Sequence, residues 1–192
     1  MTIFVLGLVL FFAIHTFSAV RSRAPEKDIK VKLGYGPYMG LYSVASIIGF
    51  VLICYGYGAS RGAGVLYVPP TWMQHINLLL MVPALILLVA SQLPAGKISK
   101  IAKHPMLLAV KIWALGHLLA NGELNSVLLF GSFLAYAVFD RIMVKKRGDN
   151  GPGPDATVNP AMDLVAIVVG LGVYAAIALW LHPILFGVNA IG

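Results

Sequence analysis

Five histidines, His15, His75, His104, His117 and His182, are the groups in this chain best suited to chemistry. Imidazole ligates metals and moves protons near neutral pH, and at membrane depth an ionisable group is costly enough to point to a function. The single cysteine, Cys54, excludes a disulfide framework, a cysteine-based zinc site and an iron–sulfur cluster. The densest polar set lies on one segment, which reads His104-Pro105 through Lys111 and Trp113 to Gly116-His117. At about 100° per residue, His104 and Lys111 share one helical face and Trp113 and His117 another. The segment is therefore polar in two directions.

The elements that must hold these residues are membrane helices. Of 192 residues only 11% are charged and 59% are hydrophobic, too few polar groups to cover a water-exposed surface. Crossing about 30 Å of hydrocarbon takes roughly 20 apolar residues in a helix. Six segments meet or approach that demand, about 2–20, 38–58, 72–93, 105–121, 124–144 and 163–186. The expected fold is all-α, a six-helix polytopic bundle forming a single domain over 1–192. A signal peptide carries its positive charge before the apolar run, whereas Arg21 and Arg23 follow it here, so the first segment reads as a retained helix. Pro69-Pro70 ends a loop before the third span. Pro152 and Pro154, with Gly148, Gly151 and Gly153, make the fifth loop a connector rather than a domain. Asn159-Pro160 reads as an N-cap and first-turn proline, with Asp163 near the positive end of the sixth helix. Gly40, Ser43, Ala45, Ser46 and Gly49 in the second span, and Gly170, Gly172, Ala175 and Ala176 in the sixth, permit close helix approach.

The net charge of +7 records topology, not nucleic acid. Twelve of the 14 basic residues fall in the first, third and fifth loops; Arg61 stands alone in the second, and Lys111 lies inside a span. Those three loops face the cytoplasm and both termini the periplasm.

Depth separates the histidines. His15 lies about 21 Å of helix from the outer surface and His117 about 18 Å from the inner one. An interfacial ring meeting water suits His182; His104, which could be a solvated helix entry, and His75, one turn inside the third span, each fit a structural and a functional role equally. Lys111, about 9 Å from the inner surface, either snorkels or neutralises a carboxylate such as a haem propionate or Asp140. Asp140-Arg141 equally suits a local interfacial pair. The depths of His15 and His117 differ by about 9 Å, too far for both to hold a bare zinc. Haem iron takes its axial ligands from opposite faces, so a bis-histidine haem is permitted.

The chain resembles the NnrU family of bacterial inner-membrane proteins. The resemblance rests on the span ending around His15, Gly40-Leu41-Tyr42-Ser43, Pro69-Pro70 with Trp72 and His75, His104-Pro105-Met106-Leu107, Trp113 to Gly122, and Asp140-Arg141. It implies a bacterial inner-membrane location and a link to nitric oxide and nitrite metabolism. The family is similar to the haem b-dependent zeta-carotene cis-trans isomerase, which implies that His15 and His117 match its two axial histidines. Where that enzyme has a cysteine three residues before the second histidine, this chain has Ala114, which excludes ligand switching there. His75, His104, Lys111 and Trp113 complete the candidate cofactor-binding set. The expected partners are the lipid bilayer, a lipophilic small molecule or nitric oxide, and a membrane protein partner. Two other functions fit the residues: a cofactor-free accessory protein for assembly of a denitrification enzyme, and a cytoplasm-facing methyltransferase or reductase around His104 and Lys111. His104-Pro105 weakly resembles the Arg-His-Pro segment of such enzymes, with Lys103 in place of the arginine.

Overall fold

The structure, a computed structural model, describes residues 1–153 and 155–191. Pro154, expected in the fifth connector, lies outside the described residues. The chain is all-α, and among the described residues the only pairing of β type is an isolated bridge between Val65 and Glu123. The helices are α1 (Thr2–Val20), α2 (Ile29–Leu33), α3 (Tyr35–Ala59), α4 (Thr71–Ala90), α5 (Lys97–Ala102), α6 (Pro105–Ala120), α7 (Leu124–Lys146), α8 (Pro160–Ala176) and α9 (His182–Phe186). A π-helical turn, Ile177–Leu181, joins α8 to α9. Among the described residues, five helical stretches are long and apolar enough to cross a membrane: α1, α3, α4, α7 and the run Pro160–Phe186. The protein is a multi-pass membrane protein whose apolar faces meet lipid. Helix α6 is apolar but has 16 residues, about 24 Å, short of the hydrocarbon thickness.

The sixth expected span begins earlier than its apolar run because Asn159 caps it, accepting from the Ala161 amide at 3.1 Å with Pro160 at the first helical position. Its π turn has a local cause. Pro183 offers no N–H and its ring crowds the carbonyl four residues back, so the helix widens and the His182 amide reaches Ile177. Asp163 does more than favour its own helix start: its carboxylate accepts from the Lys97 and Ile98 amides at 2.8 and 3.0 Å, capping α5 from a distant part of the chain.

Contacts group the chain into two compact units. The first comprises Met1–Tyr67 and Glu123–Ser132; the second begins with Val68–Gly122 and resumes at Phe133, so α7 contributes to both. In the first unit α1 packs along α3 around fully or nearly fully buried Phe4, Leu8 and Ile53. Glycines make that approach possible. A Cβ on Gly56 would lie 2.5 Å from the backbone of Phe4, one on Gly7 2.7 Å from Ile53, and one on Gly49 2.9 Å from Phe11. Gly40, also expected at a helix contact, faces open space. Buried Asn125 and Ser126 on α7 fasten to Tyr57, through the Tyr57 carbonyl at 3.3 Å and its hydroxyl at 2.9 Å. In the second unit α4 packs on α6 and α8, and a Cβ on Gly170 would lie 2.7 Å from Ile86.

The first basic loop is an ordered motif. Asp28 caps α2 by accepting from the Lys30 amide at 2.9 Å, and it forms an ion pair with Arg21, whose guanidinium also lies 5.4 Å from the Tyr38 ring centre. The hydrogen bond from Arg21, helped by the Lys30 amide, outweighs desolvation and holds the Asp28 carboxyl below its ordinary value of 3.8. Asp28 is thus more acidic folded than unfolded. Its contribution is complete above the unfolded value and lost as pH falls through the lower, folded one. In detergent, wild-type thermal stability is expected to fall more steeply below about pH 4 than that of Asp28→Asn, whose profile lacks this component. Parallel profiles would refute the assignment.

Candidate functional site

His15 lies on α1 in the first unit, half-buried, five residues before the helix ends. Its Nδ1 is 2.7 Å from the Phe11 carbonyl one turn back. A carbonyl can only accept, so Nδ1 carries the proton and Nε2 the lone pair. The ring is clamped as well as tautomerically set. It stacks on Phe11 with centroids 4.1 Å apart and tilts against Tyr42 of α3 at 5.3 Å.

His117 lies on α6 in the second unit and repeats the arrangement. Its Nδ1 is 2.8 Å from the Trp113 carbonyl, which again leaves the lone pair on Nε2. Trp113 shares its face as the helical period requires, with the two rings 5.3 Å apart, and is held edge-on by Phe133 at 5.5 Å. The preceding residue is glycine for a reason of space. A Cβ at Gly116 would meet the Asn77 side-chain oxygen at 2.5 Å and Met81 Cε at 2.8 Å, so α4 approaches α6 beside His117. Asn121 closes the helix end on the His117 carbonyl at 2.9 Å.

The other candidates are placed differently. His75 is exposed on α4. His104 is the N-cap residue of α6, and its Nε2 lies 3.2 Å from the Asp149 carbonyl and 3.7 Å from that residue's carboxylate. Lys103 before it has a φ of 62°, and the His104 amide reaches the Ala102 carbonyl at 2.7 Å, a tight three-residue turn that L-residues seldom adopt. Gly151 packs directly on the Lys103 carbonyl, where a Cβ would collide. Lys111 is half-buried without an ion pair among the described residues. Asp140 pairs with Arg147 at 4.0 Å rather than with Lys111 or Arg141. His182 turns its Nδ1 to the Val188 carbonyl at 2.7 Å. No cluster of three or more His, Cys, Asp or Glu suited to a bare metal ion occurs among the described residues.

The model of the family described as NnrU protein matches residues 3–190, almost the whole chain. The chain belongs to the NnrU family. No curated relative and no solved structure matches it. The NnrU match spans residues of both units and includes His15 and His117. Sequence reasoning selected both histidines by depth. It missed the carbonyl contacts that set their rings, which the backbone of any residue one turn back can supply; the aromatic residues four positions before each, Phe11 and Trp113, signalled only the ring contacts.

Proposed function

We propose that this NnrU-family protein is a six-span protein of the bacterial inner membrane that binds haem b through His15 and His117, with both termini periplasmic and the basic loops cytoplasmic. The observation that carries the reading is the identical setting of the two rings: each donates Nδ1–H to the carbonyl one turn back, at 2.7 and 2.8 Å, and offers Nε2. A histidine that ligates iron uses this outer hydrogen bond to fix its tautomer and raise its basicity. Phe11 and Tyr42 beside His15, and Trp113 beside His117, supply the flat apolar surroundings that suit a macrocycle. Haem bound there supplies one-electron redox chemistry and affinity for small gases such as nitric oxide. The protein's own part is to orient the two imidazoles and exclude water. Lys111, half-buried on α6, is the residue available to neutralise a propionate. Helix α6 serves as the sixth span despite its length, with His104 and Asn121 extending it to the interfaces. The family resemblance supports a link to nitric oxide or nitrite metabolism, and the similarity to the zeta-carotene isomerase a redox or isomerase-type chemistry on a lipophilic substrate.

The test is the visible spectrum of protein purified from haem-sufficient cells. A Soret band near stoichiometric intensity is expected, and its loss or marked shift in His15→Ala and in His117→Ala. A colourless protein, or a band unchanged in both variants, overturns the reading.

A further inference from the structure

Within the first unit an apolar groove of about 180 Å³ opens among the end of α1, α2 and the start of α3. Phe17, Ile29, Leu33 and Leu41 line it together with Tyr38 and Tyr42. Two hydrogen-bonding groups beside it are buried and make no hydrogen bond: the hydroxyl of Tyr38, a residue only 7% exposed, and Nε of Arg21. A buried donor without a partner is costly, and the Arg21 guanidinium lies 5.4 Å from the centre of the Tyr38 ring. Both donate, so an acceptor satisfies them.

The rim agrees in charge. Arg21, Arg23, Lys27, Lys30 and Lys32 face only Glu26 and Asp28 in this loop, and Asp28 is taken up by Arg21. Helix α2 is built like an interfacial element: Ile29 and Leu33, one turn apart, turn into the groove, while Lys30 lies 4.6 Å from the Tyr35 ring centre and Lys27 and Lys32 are exposed. Basic residues immediately beside a membrane helix attract acidic lipid. An apolar slot, a pair of buried donors and a basic rim together match an amphiphile with an acidic head.

We propose that this groove is a binding site for an anionic phospholipid, with one acyl chain against Phe17, Leu33 and Leu41 and the phosphate met by Arg21, Tyr38 and the α2 lysines. The site lies wholly within the first unit and does not depend on haem. Lipid seated there braces α2 against α1 and α3 beside His15, which Tyr42 touches from the groove side.

Native mass spectrometry of the full chain in detergent tests this, with phosphatidylglycerol and phosphatidylcholine of identical acyl chains offered at equal concentration. Wild-type protein is expected to retain one phosphatidylglycerol at collision energies that strip phosphatidylcholine, and to gain thermal stability from the acidic lipid alone. Tyr38→Phe, and separately the exposed-rim variant Lys27→Gln/Lys32→Gln, should each lower retention about fivefold or more while the lipid-free melting temperature stays within a few degrees. The rim variant keeps the test decisive if Tyr38→Phe folds poorly. Equal retention of the two lipids, or wild-type retention in the rim variant, overturns the proposal. Displacement of the phospholipid by oleate at equal concentration also overturns it, assigning the groove to fatty acid instead. His15→Ala should bind the lipid normally, which separates this site from the haem reading.

Discussion

Gly56→Ala is expected to destabilise the protein severely, although it adds one methyl group to a helix. Alanine is the better helix former by about 1 kcal/mol, so an isolated helix would gain. Here the added Cβ would lie 2.5 Å from the backbone nitrogen and Cα of Phe4, closer than real Cβ atoms approach, and backbone cannot rotate away as a side chain can. Helices α1 and α3 would have to separate along a seam that Gly7 and Gly49 also bring into close contact at other turns, at 2.7 and 2.9 Å for an added Cβ. Separation exposes Phe4, Leu8 and Ile53 and pulls at Tyr57, whose ring lies edge-on to Phe4 at 5.9 Å. Overpacking typically costs 1–3 kcal/mol, and a rigid backbone clash belongs at or above the upper end, so about 3 kcal/mol is expected. Gly58→Ala is the matched control. It sits two residues away on the same helix with nothing within 4 Å of its added Cβ, so it should be neutral or slightly stabilising. Thermal unfolding in detergent separates them; equal melting temperatures for the two variants would refute the glycine seam.

That seam marks where the sequence ran out. The long helices were legible because hydrocarbon allows only internally bonded backbone, and an uncharged run of about 20 residues has few other uses. Small residues at membrane depth were legible as a class, but not individually. Gly49 and Gly170 are contact residues while Gly40 and Gly172 face open space, a distinction set by helix rotation about its axis, which composition does not encode. Helices α2 and α5 were hidden inside basic loops because each has only five or six residues and is held by a cap. For α5 the cap is Asp163, 66 residues beyond Lys97, and no local pattern announces such a contact. At the candidate site, the choice of His15 and His117 rested on the cost of burying imidazole, whereas ring orientation depends on rotamers. His104 shows the converse: its place before Pro105 suggested a helix entry, which it is, but its contact with Asp149 comes from the connector after α7.

Replacing His117 by glycine is expected to abolish the Soret band, and millimolar imidazole to restore it. Glycine removes the ring and leaves a space that a free imidazole can enter, while its helix penalty of about 1 kcal/mol relative to alanine is modest. Restoration therefore distinguishes lost ligation from lost fold. It should be incomplete, because the free ligand lacks the covalent tether that holds the native ring 2.8 Å from the Trp113 carbonyl and must be ordered on binding. His117→Met makes the argument quantitative in a different observable. A thioether in place of an imidazole favours reduced iron, so haem retained by this variant should have a higher reduction potential. His15→Gly is expected to behave in parallel, since its ring is set by the same contact to Phe11. Asymmetry between the two would identify which ligand holds iron more weakly, and hence which side an external ligand such as nitric oxide can open. If neither glycine variant responds to imidazole while both remain folded, His15 and His117 act as helix-packing residues and the haem reading falls.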